Sequence, residues 1–338
     1  MIISATPLQP EAQTLLDEAA DAGPDSELRA FGIGAAHHGE RLDRALAVLV
    51  PEFSRSYLQQ LIEQGAVQLN GRPAAKPAHK VKAGDAGTVE LKPTPQSQAF
   101  KPEAMALDLL FQDEHLLVVN KPAGLVVHPA PGNWSGTLLN GLLAHDVAAQ
   151  MLPRAGIVHR LDKDTSGLMV VARSRAAMDA LVRAIAARDV ARQYIAMAHK
   201  AWAGPKHKQV DAPIGRDPRN RLRMAVVDLE RQPGKVASTG FDLLENAQAG
   251  CLVRATLQTG RTHQIRVHMA SIGHPLLADD LYGGTPAAGM ERQALHALRL
   301  AFVHPVTQQA MEFHAPLPAD MAAAVAVWGL RYNQPDGS

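Results

Sequence analysis

The stretch that most constrains this chain runs from Gly156 to Ala172 and reads Gly-Ile-Val-His-Arg-Leu-Asp-Lys-Asp-Thr-Ser-Gly-Leu-Met-Val-Val-Ala. Its apolar flanks, Ile157-Val158 and Leu168 to Ala172, are strong strand formers. Between them sits a polar turn carrying His159, Arg160, Asp162, Lys163 and Asp164, closed by Thr165-Ser166-Gly167. Charged groups held at the ends of two buried strands are a usual place for chemistry. Composition alone fits a solvated surface hairpin equally well.

Around this stretch, 338 residues with an apolar fraction of 46% are enough for two domains with filled cores. The net charge of +1 does not mark a nucleic-acid binder, but its distribution does more. Residues 1–30 hold six acids and one base (Arg29), whereas Lys200 to Met224 hold seven bases and two acids. A local basic patch can meet phosphate on a neutral chain. Cys251 is the only cysteine, so no intramolecular disulfide forms and a cytoplasmic protein is expected. The N-terminus lacks the pattern of a secretory signal, and no apolar stretch approaches the roughly 20 residues of a membrane span.

In chain order, residues 1–38 read as a mobile acidic extension. Leu42, Leu46 and Leu49 recur at helical spacing until Pro51, and Ser54 caps a second helix with Leu58, Leu61 and Ile62 that Gly65 ends. Val67 and Leu69 alternate with polar neighbours, Asn70-Gly71 makes a turn, and a strand follows over Thr88 to Leu91. Residues 93–106 read as a linker. From Leu107 the spacing predicts strands to Phe111 and over Leu116 to Asn120. Next comes a strand broken by Pro122 and Gly124, where backbone can pass close to a ligand or to the catalytic loop. A turn with Lys121 exposed is the competing reading. Ser174 caps a helix with Met178, Leu181, Val182 and Ile185 on one face, and Arg192 to Ala196 is a strand with Tyr194 opposite Ile195. The basic segment around Lys206, Arg216 and Arg223 reads as loops and hairpins. Cys251 to Leu257 alternates as a strand, and a helix is expected from near Thr262 to Gly273. Strands around Leu298 to Phe302 and Met311 to Phe313, then a helix from Asp320 to about Leu330, end the chain. Despite 15 histidines, no metal site is expected: on a helix His263 and His268 are five apart and face differently.

His159 to Gly167 resembles the central motif of the RluA-family pseudouridine synthases. The run Val118-Val119-Asn120-Lys121-Pro122 to Pro129 resembles that family's first motif, Arg192-Gln193-Tyr194 its second, and Thr259 to Met269 its third. Ser54 to Tyr57 and Val67 to Arg72 are similar to an S4 RNA-binding domain. The resemblance spans roughly 39–330 and is closest to the RluD-type subgroup, which acts on large-subunit ribosomal RNA.

That resemblance implies an α+β protein with an S4-like domain over 39–92. A catalytic domain over 107–332 follows, with a mostly antiparallel sheet and flanking helices. It implies isomerisation of uridine to pseudouridine in 23S rRNA, in a stem-loop at the subunit interface, on free RNA or within large-subunit particles. Asp162 is then the nucleophile, attacking C1′ or abstracting the 2′ proton, with Asp164 as a competing carboxylate that an extended turn points away. Arg266 pairs with the catalytic Asp. Tyr194 packs on the flipped base and accepts a proton, and Arg160 fills the vacated place in the stack. His159, Lys163 and Arg261 are expected as further RNA contacts. In the small domain, Arg55, Arg72, Lys76, Lys80 and Lys82 are expected to meet phosphate. The reaction needs no redox step or energy input, and no cofactor is expected. The alternatives are the same activity on tRNA, or a non-catalytic RNA-binding or ribosome-assembly protein. With 14 aromatic residues in the whole chain, an aromatic-platform binder is disfavoured.

Overall fold

The computed structural model describes residues 27–332 apart from 52, 75, 92–98, 131 and 221. Two compact units divide between residues 98 and 99.

The smaller unit carries a four-stranded antiparallel sheet in the order β1-β4-β2-β3: Glu27–Gly32 (β1), Val67–Leu69 (β2), Arg72–Pro73 (β3) and Ala86–Leu91 (β4). Helices Leu42–Leu49 (α1) and Arg55–Glu63 (α2) pack on it through Leu42, Leu46, Leu58, Leu61 and Ile62, with Val67 and Val89 beneath. The Ser54 side chain accepts the Tyr57 amide at 3.3 Å, capping α2 as the sequence requires. β1 corrects the expected extension over 1–38. Phe31 and Ile33 alternate into the core, and Glu27 to Gly32 pair with the full length of β4. Residues 1–26 lie outside the described set.

The larger unit is built on a nine-stranded sheet. Its order is Leu109–Gln112 (β5), Leu116–Lys121 (β6), Ser166–Ala172 (β7), Leu295–Val303 (β15), Ala191–His199 (β8), Gly250–Leu257 (β14), Ser238–Asn246 (β13) and His207–Asp211 (β9). Ala310–His314 (β16) also pairs with β15. All neighbours are antiparallel except β7 and β15. A small sheet of Ile214–Arg216 (β10), Met224–Val226 (β11) and Gly234–Lys235 (β12) begins within the basic segment and runs past it. This is the α+β architecture expected, with its largely antiparallel sheet.

Alternation along the strands sorts the core. Tyr194, Ala196 and Ala198 of β8 share one layer with Met169, Val171 and Phe241, covered by Leu138–His145 (α3) and Gln264–Ser271 (α5). Ile195 and Met197 belong to the other layer, under Ala319–Val327 (α6), while Leu168 and Val170 pack on Arg175–Ala187 (α4). Cys251 is fully buried in the first layer.

Several local expectations change. Ile157 makes a single bridge to Val171 rather than a strand. Val182 is exposed on α4. α3 had no counterpart in the sequence reading. The expected linker 93–106 is not free from Ala99 onward: Asn140 Nδ2 donates to Ala99 O and Lys101 O, and Glu103 accepts the Gly136 amide at 2.8 Å. Among the described residues no helix is long and apolar enough to cross a membrane.

Candidate active site

The loop between Ile157 and β7 meets the start of α5 at a cavity of about 360 Å³. Asp162, Tyr194 and Arg266, from three distant parts of the chain, all line it. Asp162 is the sole carboxylate among its lining residues, and Arg160, Arg188, Arg192, Arg261 and Arg266 surround it. Asp164 is not part of the lining, which removes it as the competing carboxylate.

Arg266 bridges two acids. Its NH1 donates to Asp162 Oδ2 at 3.0 Å, while Nε and NH2 donate to the two oxygens of Asp279, each at 2.8 Å. Burial works against the Arg266 charge, but Asp279 and Asp162 outweigh it and raise the pKa. Tyr282 completes the arrangement, its ring centroid 5.0 Å from the guanidinium carbon. The Tyr282 oxygen accepts the Met224 amide at 3.0 Å and lies 2.7 Å from His263 Nδ1. If the phenol donates to Nδ1, the imidazole proton sits on Nε2, 3.8 Å from Asp162 Oδ1. Burial lowers the His263 pKa against the pull of Asp162, so the ring is neutral at pH 7. His263 is not within the helix. It precedes α5 in a left-handed conformation (φ 56°), which removes the helical spacing considered with His268. The latter is buried between Thr239 and the Ala212 carbonyl. Sequence reasoning missed Asp279 and Tyr282, for no motif joins them to Arg266.

The loop carrying Asp162 is fixed from below. Lys121, expected exposed in one reading, is fully buried at the end of β6. Its ammonium donates to the carbonyls of Pro122, Leu125 and Lys163 at 2.8–2.9 Å. Burial pushes its pKa down to about 8 against the attraction of Asp164 and Asp162. The Gly124 amide also donates to Lys163 O at 2.9 Å. The broken strand therefore meets the loop that carries Asp162. Gly167 follows at φ +112°, where a Cβ would lie 2.2 Å from Ala297 O. Only glycine lets β7 run this close to β15.

Tyr194 is 5% exposed, and burial raises its pKa, so the phenol keeps its proton at neutral pH. Arg192, two residues earlier on the same strand face, is 6% exposed and its Nε has no partner among the described residues. A buried guanidinium nitrogen without a partner is a candidate for meeting a ligand. Arg160 is exposed at the cavity edge. Arg261 donates from Nε to Val236 O at 3.0 Å. His159 lines the cavity, but its Nε2 accepts the Val170 amide at 3.1 Å, and burial with Arg192 nearby pushes its pKa to about 3. One ring nitrogen is thus committed to the fold. Lys163 is exposed outside the lining.

In the small unit Arg55 pairs with fully buried Asp43 at 2.9 Å, as Arg41 does at 3.0 Å. Burial alone would raise the Asp43 pKa, but hydrogen bonds from Arg41, Gln59 and Arg55 overcome it. Arg55 therefore has a structural partner. Arg72, Lys76, Lys80 and Lys82 are exposed.

Residues 115–271 match the family described as RNA pseudouridylate synthase, and residues 40–86 match the S4 domain. The chain belongs to the RNA pseudouridylate synthase family. It is 48% identical over 300 residues to ribosomal large subunit pseudouridine synthase D of Neisseria meningitidis serogroup B, covering 86% of this chain and 79% of that one. A protein of the same name from Nitrosomonas europaea is 49% identical over 295 residues, covering 84% and 83%. Among solved structures, human RNA pseudouridylate synthase domain containing 1 superposes with a TM-score of 0.52 at 26% identity, over 68% of this chain and 90% of that one.

Proposed function

We propose that this protein isomerises specific uridines to pseudouridine in 23S ribosomal RNA in the cytoplasm, on a stem-loop of the large subunit. The observation that carries this reading is the single carboxylate, Asp162, set in an arginine-lined cavity and held by Arg266. Five arginines suit an RNA strand, and one carboxylate does not supply the acid–base pair of a glycosidase.

The target uridine leaves its stack and enters against Tyr194, and Arg160 takes its place. Asp162 attacks C1′ or removes the 2′ proton, and the C1′–N1 bond breaks with its electron pair passing to the base. Negative charge then grows over the uracil ring and its carbonyl oxygens. Arg192, buried beside Tyr194 with Nε unpartnered, is placed to donate to such an oxygen. The base turns and C5 bonds to C1′, which releases the Asp162 carboxylate on the first route and returns the 2′ proton from Asp162 to C2′ on the second; the free carboxylate then takes the C5 proton and passes it to water, while N1 takes a proton from water. Tyr194 keeps its own proton and serves as packing and donor, not as the base. The exposed Arg72, Lys76, Lys80 and Lys82 add phosphate contacts from the S4 unit.

Tritium release from [5-³H]uridine-labelled large-subunit rRNA tests this directly. Release by wild type and none by Asp162→Ala, with RNA affinity and melting temperature nearly unchanged, is expected. Release from tRNA transcripts alone would move the substrate, and release by Asp162→Ala would remove the nucleophile.

A further inference from the structure

A second cavity, of about 570 Å³, adjoins the first and shares the lining residues Val158, His159 and Arg160 with it. Its walls combine Phe100, His128, Trp134 and Arg154 with Arg160, over an apolar floor that includes Leu139 and Ile157. No carboxylate lines it.

Four features make this an odd surface to leave empty. Phe100 is 71% exposed and Trp134 is partly exposed, so two aromatic rings stand open to water at one spot. Neither Arg154 nor Arg160 has a carboxylate partner among the described residues. Nδ1 of His128 is buried without a hydrogen-bond partner among the described residues. Arg154 and Ala155 both hold left-handed conformations, φ 54° and 52°, which non-glycine residues rarely adopt. Such strain persists where the surroundings over-determine it and gathers at ligand sites.

We propose that this cavity is a second base-binding subsite, which takes an unpaired nucleotide neighbouring the one in the catalytic cavity. The inference rests on the RNA-modifying function proposed above and adds where the flanking strand goes. Exposed aromatic rings stack bases without regard to sequence. Arg154, unpaired, meets a phosphate beside the base, and its charge argues for a polyanion over an apolar peptide. His128 offers a ring nitrogen to a base edge. Burial, with Arg160 and Arg154 adding to it, lowers its pKa to about 4, so the ring is neutral and can donate or accept. Because Arg160 lines both cavities, a strand with one nucleotide extruded into the first has its neighbour within reach of the second.

The test uses full-length protein and large-subunit rRNA transcripts, either intact or carrying an abasic nucleotide beside the modified uridine. Trp134→Ala combined with Phe100→Ala removes partly exposed rings outside the catalytic cavity, and a melting curve checks the fold. On intact RNA the pair should raise KM by about 5- to 150-fold, the effect of losing one base–aromatic stack, with kcat nearly unchanged. Wild type on RNA abasic at one neighbour should lose as much. The variant on that same RNA should lose nothing further, and Trp134→Phe should restore most of the affinity. An unchanged KM in the double variant, or losses that multiply on abasic RNA, would overturn the subsite while leaving the enzyme's function standing. A loss confined to ribosomal particles would assign the cavity to a protein and also overturn it. Absence of wild-type turnover on any rRNA would instead reject the function on which the subsite rests.

Discussion

Arg266 makes three hydrogen bonds to carboxylates, two to Asp279 and one to Asp162, and the two acids are not equivalent. Asp279 is 1% exposed, whereas the Asp162 side chain is 17% exposed at the wall of an open cavity. Asp279→Ala leaves a buried guanidinium with one partner at its edge. Removing one member of a buried pair costs about 3–5 kcal/mol, because the other charge stays desolvated. For a unit of this size each kcal/mol moves the melting temperature by about 2–4 °C, so a drop of about 6–20 °C is expected. Asp162→Ala leaves the two-pronged Asp279 contact intact. It forfeits one charged hydrogen bond, about 1.5–3 kcal/mol at most, and less where water replaces the lost partner. Calorimetry on the two full-length variants, with tritium release measured below both transitions, makes the comparison. Asp162→Ala should abolish turnover at little cost in stability, and Asp279→Ala should lower both. A melting temperature for Asp279→Ala within 2 °C of wild type, or below which Asp162→Ala falls, would refute the division of labour.

Two further outcomes follow from buried groups. Lys121→Met should destabilise by about 2 kcal/mol or more, since the carbonyls of Pro122 and Leu125 lose their donor while Lys163 O keeps the Gly124 amide; urea titration reads this, and a midpoint unchanged from wild type would place water at those carbonyls. His159 and His296 have folded pKa values pushed by burial to about 3 and about 4, below the unfolded value near 6.5. Both are neutral in the fold while the unfolded chain binds their protons. Their contribution is therefore complete above pH 6.5 and is lost as pH falls through the folded values, by up to about 1.4 kcal/mol per pH unit for each. Stability measured between pH 7 and 4.5 should decline accordingly, and less steeply in His159→Asn.

What the sequence disclosed depended on how local the cause was. Ser54 and Ser174 cap their helices where a hydroxyl precedes an apolar period, and Tyr194 and Ile195 part to opposite layers because a strand alternates. The candidate residues were legible through short motifs, and one cavity brings Asp162, Tyr194 and Arg266 together. Tertiary causes stayed hidden. β1 is recognisable only once β4 is there to pair with it, since its sequence, Glu-Leu-Arg-Ala-Phe-Gly, reads like the acidic residues before it. Nothing local to Arg55 announces its pairing with buried Asp43, twelve residues away. Lys121 looked solvated because nothing local announces that three carbonyls will converge on its ammonium.

Cys251 is the second residue of β14, fully buried, and its thiol is pushed up to about 12 by burial. Since the thiolate is the reactive form, a thiol reagent meets this side chain only when the sheet opens. The wild-type chain thus has a built-in clock of unfolding, read from its alkylation rate without mutation. For the same reason, a fluorophore can be attached to a cysteine introduced at the surface while Cys251 stays silent, so distances between the S4 unit and a bound RNA can be followed in an otherwise native protein.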